Sequence, residues 1–119
     1  MGMDARAPSA DELAAMERLV AESLDDGALG FSTGLFYTPG SYSLTDEVVA
    51  LAQVAADRGA LYSSHLRSEG ADGPGMMAAY EEALEIGRRT GVRVEISHVK
   101  CKGFLVWGRA NDVLELIEK

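Results

Sequence analysis

Two stretches of the sequence end in the same combination of ionisable side chains. Residues 60–70 read ALYSSHLRSEG and residues 94–100 read VEISHVK, so an apolar run leads to a histidine and then, two residues on, to a cation. The first pair is His65 and Arg67, and the second is His98 and Lys100. Imidazole nitrogens bind zinc at about 2 Å, and both cations bind carboxylates, Arg in a bidentate manner. Because alternate residues of an extended segment point the same way, the pattern predicts a metal site beside cations that hold an anionic substrate.

The same residues have structural interpretations that must be weighed against this one. Each histidine alone is more often a hydrogen-bond partner of a loop carbonyl, and Arg67 has Glu69 nearby as an alternative partner. The metal interpretation is favoured because the chain has two histidines and both fall at matching ends of predicted strands, whose Cα atoms lie about 5 Å apart in a sheet. Two histidines do not complete a catalytic zinc site, which usually has three protein ligands and a water.

A regular spacing of glycines defines the elements that position these residues. Gly27, Gly59 and Gly91 recur at intervals of 32 residues, and each follows a helix-like segment and precedes a strand-like one. The predicted helices cover residues 10–26, 45–58, 75–90 and 108–118. Ser9 and Glu12 predict a capping box for the first helix, and Ser43 or Thr45 is predicted to cap the second.

This alternation of helix, glycine and strand predicts an α/β fold with a parallel sheet, either an open doubly wound sheet or part of a (β/α)8 barrel. A complete barrel needs eight strands and about 250 residues. With three predicted strands, residues 1–119 are expected to form a single partial domain, about three-eighths of a barrel with two open sheet edges. The loops at 33–43, 66–74 and 99–108 leave the carboxyl ends of the strands, where ligands bind in such folds. Tyr37 lies in the first of these loops and Trp107 in the third.

The composition excludes several classes of partner. The net charge is −8, which argues against nucleic acids and anionic membranes. No apolar run approaches the roughly 20 residues that a membrane helix needs. The single cysteine, Cys101, cannot form an internal disulfide, and we expect a cytoplasmic protein.

One other motif has a chemical interpretation. Residues 30–34 read GFSTG and match the G-x-S-x-G nucleophile elbow, with Ser32 as nucleophile. An elbow turns directly from strand into helix, whereas here Pro39 and Gly40 mark an intervening loop. A serine hydrolase is therefore the least favoured interpretation, and Cys101 is expected to be a small packing residue.

Three segments taken together resemble a known family. GALGFSTGLFYTPGSYS, YSSHLRSEG and VEISHVKCKG, in that order, are similar to the central part of the N-acyl-D-amino-acid deacylases, the D-aminoacylases of the amidohydrolase superfamily. The resemblance implies a zinc-dependent hydrolase of amide bonds, built on a (β/α)8 barrel with one or two zinc ions at the carboxyl ends of its strands. It implies that His65 and His98 are metal ligands and that Tyr37, Arg67 and Lys100 face an N-acyl-D-amino-acid substrate.

The family's remaining catalytic groups have no counterpart in this sequence. The H-x-H pair of the first barrel strand, an early ligand cysteine and the general-base aspartate of the last strand are absent, so no catalytic residue is assigned and the chain alone is expected to be inactive. The alternative from a different class is a catalytically dead α/β fragment that self-associates as a homo-oligomer through its open sheet edges.

Overall fold

The sheet in this protein is parallel and three-stranded, in the order β1-β2-β3, and the computed structural model describes residues 2–119. The strands are β1 (Gly30–Gly34), β2 (Leu61–His65) and β3 (Arg93–Ile96). The helices are α1 (Ala10–Asp25), α2 (Thr45–Ala56), α3 (Met76–Thr90) and α4 (Ala110–Ile117). Each strand is followed by a helix, which confirms the predicted α/β class of consecutive parallel βα units.

The register of the sheet brings the ends of the strands level with one another. Gly34 of β1 pairs with His65 of β2, and Ser64 of β2 pairs with Ile96 of β3. The backbone N–H of Ser97 then donates to Ser64 O at 3.1 Å, which extends the pairing one residue beyond β3. The loops after all three strands therefore leave the same edge of the sheet.

The helices cover one face of the sheet and form its core. Tyr62 of β2 is fully buried, stacks on Phe31 with ring centroids 5.0 Å apart, and its hydroxyl contacts Thr33 Oγ1 at 2.8 Å. The buried residues of α3 repeat at helical spacing and belong to two clusters: Ile86 packs with Tyr62, and the others pack with Leu66 and Val106. These buried residues are Met76, Ala79, Tyr80, Ala83 and Ile86.

The glycine spacing marks the ends of the first three helices. Gly91 follows α3 in the left-handed conformation, with φ of 73°, and its N–H donates to Gly87 O at 2.8 Å. Gly27 and Gly59 also have positive φ, 107° and 66°. A side chain is disfavoured at such angles, which explains why glycine recurs there.

The two predicted helix caps have different outcomes. The capping box of α1 is confirmed, because Glu12 N donates to Ser9 Oγ at 3.2 Å and Ser9 N donates to Glu12 Oε2 at 2.8 Å. The prediction of Ser43 or Thr45 as the cap of α2 is wrong, since Leu44 occupies that position without a side-chain hydrogen bond. The Thr45 hydroxyl instead donates to Glu82 Oε1 in α3, at 2.8 Å.

The other face of the sheet is uncovered within residues 2–119 and, apart from Leu61, carries small or polar side chains. Ser32, Glu95 and Ser97 are exposed there, and Ser63 Oγ lies 3.2 Å from Ser97 Oγ. His65 lies on this face, at its carboxyl end, because it follows Leu61 and Ser63 in the alternation of β2. Any chemistry of His65 therefore takes place on the open side of the sheet.

Candidate metal centre

The two histidines lie against each other at the carboxyl edge of the sheet. His65 is the last residue of β2, and His98 comes two residues after the end of β3. Their ring centroids are 4.7 Å apart and the rings are nearly perpendicular, at 89°. The structure thus brings together the two residues that the sequence placed at matching strand ends.

Glu69 completes a group of three metal-binding side chains that sequence reasoning had missed. It lies in the β2–α3 loop, four residues after His65, and is only 6% exposed. Its Oε1 is 2.7 Å from His98 Nδ1 and 4.0 Å from His65 Nε2. One ligand atom from each of the three residues lies within 4.8 Å of the others. The available signal is an acidic residue four positions beyond a candidate ligand, but sequence spacing alone makes Glu69 a partner for Arg67.

The donors of this group suit a zinc ion. Nitrogen and carboxylate oxygen bind zinc at about 2.0–2.2 Å, so the ligand atoms of one ion lie up to about 4 Å apart. Small side-chain rotations would bring these three side chains, whose ligand atoms lie within 4.8 Å of one another, to those distances. Glu69 Oε1 and His98 Nδ1 are buried, and neither makes a well-aligned hydrogen bond within the described part of the chain. Buried polar atoms without such partners are costly, and a metal or a shared proton satisfies them.

Lys100 lies beside the same carboxylate. Its Nζ is 3.0 Å from Glu69 Oε2, and its side chain is 49% exposed, so the ammonium group is also accessible from solvent. Its backbone N–H donates to the hydroxyl of Tyr80 in α3 at 3.2 Å. Burial raises the pKa of Tyr80, which keeps that hydroxyl protonated. A core residue of α3 therefore fixes the backbone from which Lys100 extends.

Tyr37 contacts the site from the β1–α2 loop. Its ring centroid is 4.9 Å from that of His65, in an edge-on arrangement, and the residue is 58% exposed. The structure therefore brings Tyr37, His65, His98 and Lys100 to one edge of the sheet.

Arg67 is not part of this group. Its Nε and one terminal nitrogen donate to the two carboxylate oxygens of Glu82 in α3, both at 2.9 Å. Its other terminal nitrogen donates to Ser41 O at 3.1 Å. The hydrogen bonds to Glu82 raise the pKa of Arg67. The alternative partner considered from sequence, Glu69, is wrong, because that carboxylate faces His98 and Lys100 instead.

The other sequence candidates lie elsewhere. Ser32 is in the middle of β1 and does not sit at a strand-to-helix turn. Cys101 is half-buried and packs against the core cluster around Leu66 and Val106. Trp107 is 72% exposed.

A separate cleft of about 290 Å³ lies between α1, β1 and α2. It is lined by residues such as Met16, Thr33, Tyr42 and Glu47, and by neither histidine. Its lining has no cluster of metal-binding side chains among the described residues. We therefore place the chemistry at the sheet edge.

Comparison with known proteins identifies relatives over nearly the whole chain, although no protein-family model matches it. Three proteins of Alcaligenes xylosoxydans xylosoxydans are similar. An N-acyl-D-glutamate deacylase is 47% identical over 94% of this chain, an N-acyl-D-aspartate deacylase 44% over 96%, and a D-aminoacylase 40% over 95%. The chain spans only 22–23% of the length of these relatives.

Solved structures show the same fold. The N-acyl-D-glutamate deacylase of Bordetella bronchiseptica, crystallised with zinc and a phosphonate inhibitor that mimics the tetrahedral intermediate, superposes with a TM-score of 0.91 at 44% identity. That match covers 97% of this chain and 24% of the solved one. A D-aminoacylase structure described as defining a novel subset of amidohydrolases also has a TM-score of 0.91, at 39% identity over 99% of this chain and 24% of the other.

No helix within residues 2–119 combines the length and apolar character required to cross a membrane.

The sequence identities and the agreement in fold indicate the same protein family. By sequence and by structure, the chain is homologous to a segment of the D-aminoacylases, the N-acyl-D-amino-acid deacylase family of the amidohydrolases.

Proposed function

We propose that this chain forms part of the active site of a zinc-dependent enzyme that hydrolyses the amide bond of N-acyl-D-amino acids. The observation that carries the proposal is the group of His65, Glu69 and His98, whose ligand atoms lie within 4.8 Å of one another at the carboxyl edge of the sheet. The homologues named above include a deacylase with bound zinc, and a further D-aminoacylase structure concerns a binuclear metal centre. One or two zinc ions are therefore proposed, with His65 and His98 as ligands.

The chain's own residues would orient the substrate around that centre. Zinc, when bound, polarises an amide carbonyl and makes bound water acidic enough to react near neutral pH. Lys100 has an ammonium group that is half exposed next to the histidines, and we propose that it binds the carboxylate of the amino-acid moiety. Tyr37 packs on His65 with its ring in solvent, which suits a wall of the substrate site.

Arg67, the other cation predicted at the substrate, is the weaker candidate for this contact. Its donors are already engaged by Glu82 and by Ser41 O, and its side chain is only 18% exposed. To bind a carboxylate it would have to leave a bidentate ion pair. We therefore propose Lys100 for that contact and retain Arg67 as a support of the loops around the site.

We further propose that the chain alone is inactive and that its compartment is the cytoplasm. Within the 119 residues there are two histidines and no H-x-H pair, so the additional ligands implied by the family resemblance have no counterpart here. A single cysteine suits a reducing compartment. Zinc-dependent release of D-glutamate from N-acetyl-D-glutamate by the purified chain would contradict the proposal that the chain alone is inactive.

A chimera tests the proposed function. This chain would replace the matching 22% of the N-acyl-D-glutamate deacylase of Alcaligenes, with which it is 47% identical. We expect the chimera to hydrolyse N-acetyl-D-glutamate with added zinc, and we expect His65→Ala or His98→Ala in it to abolish hydrolysis. A chimera with Glu115→Gln, an exposed position on α4, is the control for folding and charge. A folded chimera that is inactive, or one whose activity survives both histidine substitutions, would contradict the proposal.

Self-association is the alternative function that one feature of the fold favours. Within residues 2–119, the outer edges of β1 and β3 have no partner strand, and such edges invite pairing with another chain. Sedimentation velocity at several concentrations tests this alternative. A single monomeric species throughout would rule it out, and a concentration-dependent dimer would support it.

A further inference from the structure

Glu69 is held more firmly than a loop carboxylate usually is. The backbone N–H of Lys102 donates to Glu69 O at 2.7 Å, which ties the β2–α3 loop to the β3–α4 loop. The next residue is packed so closely that a Cβ on Gly70 would lie 2.7 Å from Lys102 O. With 6% exposure, the side chain has little freedom to leave this position.

The two oxygens of Glu69 have separate partners. Oε2 lies 3.0 Å from Lys100 Nζ, and Oε1 lies 2.7 Å from His98 Nδ1. The second distance is that of a hydrogen bond between an N–H and a charged oxygen. Neither Oε1 nor His98 Nδ1 makes a well-aligned hydrogen bond within residues 2–119, so a small rotation of the His98 ring would turn this close contact into the hydrogen bond that both buried atoms lack.

In both histidines, Nδ1 is the ring nitrogen that lies next to an acceptor oxygen. His65 Nδ1 lies 3.2 Å from the carbonyl oxygen of Leu66, as His98 Nδ1 lies next to Glu69. A ring that donates from Nδ1 presents an unprotonated Nε2, which is the form that binds a metal. The acceptor is a neutral carbonyl for His65 and a carboxylate for His98.

We propose that Glu69 is a positioning residue that fixes the tautomer and the orientation of His98, so that Nε2 faces the metal. This inference rests on the proposed function for the metal, but the part concerning His98 holds without an ion. Carboxylates that orient a ligand histidine in this way contribute about 10-fold to 100-fold to metal affinity. Lys100 and Lys102 hold Glu69 itself in place.

The ring nitrogens of His98 test the proposal in the metal-free, 15N-labelled chain. Spectra would be recorded at a pH at which the imidazole is neutral. In the unmodified chain we expect Nδ1 to carry the proton. In Glu69→Met, which keeps the side-chain length and removes both oxygens, we expect the shifts to return to the tautomer mixture of a free imidazole. Glu115→Gln should leave them unchanged. Identical His98 shifts in the unmodified chain and Glu69→Met would overturn the proposal.

Zinc titration of the same proteins separates this inference from the proposed function. We expect Glu69→Gln to weaken zinc binding by about 10-fold to 100-fold, whereas His98→Ala should remove it. Loss of binding in Glu69→Gln as complete as in His98→Ala would make Glu69 a direct ligand and overturn the positioning role. If the unmodified chain binds no zinc, the metal part of the proposed function fails, and the ring-nitrogen spectra still decide whether Glu69 orients His98. Far-UV circular dichroism of each variant identifies any that fails to fold.

Discussion

Arg67 and Lys100 occupy the same position relative to a histidine, yet they have different surroundings. Arg67 forms a bidentate pair with Glu82, with the two side chains 18% and 11% exposed. Lys100 contacts Glu69 through one oxygen and is 49% exposed. The difference shows that the residue type and spacing after a strand do not decide whether a cation supports the fold or faces the ligand. The neighbouring helix decides it, because Glu82 of α3 reaches one cation and not the other.

We expect the largest effect on this comparison when the carboxylate of the Arg67–Glu82 pair is removed. Glu82→Ala leaves the Arg67 guanidinium without its bidentate partner, and we expect it to lower the free energy of unfolding by about 3 kcal/mol. Urea denaturation would measure the change. Glu85→Ala, an exposed position on the same helix, is the matched control and should cost less than about 1 kcal/mol. Equal costs for the two variants would show that the Arg67–Glu82 pair does not support the fold.

The second prediction concerns Lys100, the more exposed of the two cations. Lys100→Met in the chimera should lower kcat/KM for N-acetyl-D-glutamate by about 10-fold to 100-fold, since a hydrogen bond to a charged group contributes about 1.5–3 kcal/mol. The unfolding free energy should fall by less than in Glu82→Ala, because Lys100 is half exposed and water can replace its ammonium group beside Glu69. Steady-state kinetics and urea denaturation would measure both. An unchanged kcat/KM would remove Lys100 from the substrate site.

Exchanging the two cation types gives a smaller effect and sharpens the comparison. Arg67→Lys keeps the charge but loses the planar fork that fits Glu82, and we expect a loss of about 1–2 kcal/mol, the contribution of one or two hydrogen bonds. Lys100→Arg should change stability by less than about 0.5 kcal/mol. Thermal and urea unfolding of the two variants would measure these losses. Similar losses in both would contradict the conclusion that Arg67 supports the fold and Lys100 does not.

The smallest effect involves Glu47, a second carboxylate near Arg67. Burial raises the pKa of Glu47 above its ordinary value of 4.5, while the charge of Arg67 acts to lower it. A raised pKa means that the folded chain favours the protonated carboxyl, so this contribution to stability is present at low pH and is lost as the pH rises above about 4.5. We expect Glu47→Gln to be slightly more stable than the unmodified chain at pH 7, by less than about 1 kcal/mol, and to show no advantage at pH 4. A pH-independent difference would contradict the assignment of the shift to Glu47.

The fold was largely predictable because local signals agree with one another. Glycines at a fixed interval, the capping box at Ser9 and the apolar face of α3 each specify an element, and parallel pairing of three βα units then places the strand ends together. The proximity of His65 and His98 follows from that register. The cap of α2 was mispredicted because the Thr45 hydroxyl donates to Glu82, a contact between residues 37 apart in sequence.

The partners of the charged residues were less predictable, for a physical reason. Glu69 and Glu82 are two acidic residues within reach of two cations, and sequence spacing made Glu69 the nearer partner for Arg67. In the folded chain α3 presents Glu82 to Arg67, whereas the β2–α3 loop packs against Lys102 at Gly70 and places Glu69 beside His98. Such choices depend on how the loops pack against a helix, which local sequence patterns do not describe.

The most direct test of the metal centre is the zinc content of the purified chain. Elemental mass spectrometry after mild dialysis would compare the unmodified chain with a variant in which both His65 and His98 are replaced by alanine. His65 and His98 as ligands, with Glu69 beside them, predict about one zinc per chain and almost none in the double variant. Equal zinc in the two proteins, or none in the unmodified chain, would contradict a metal centre at this edge of the sheet.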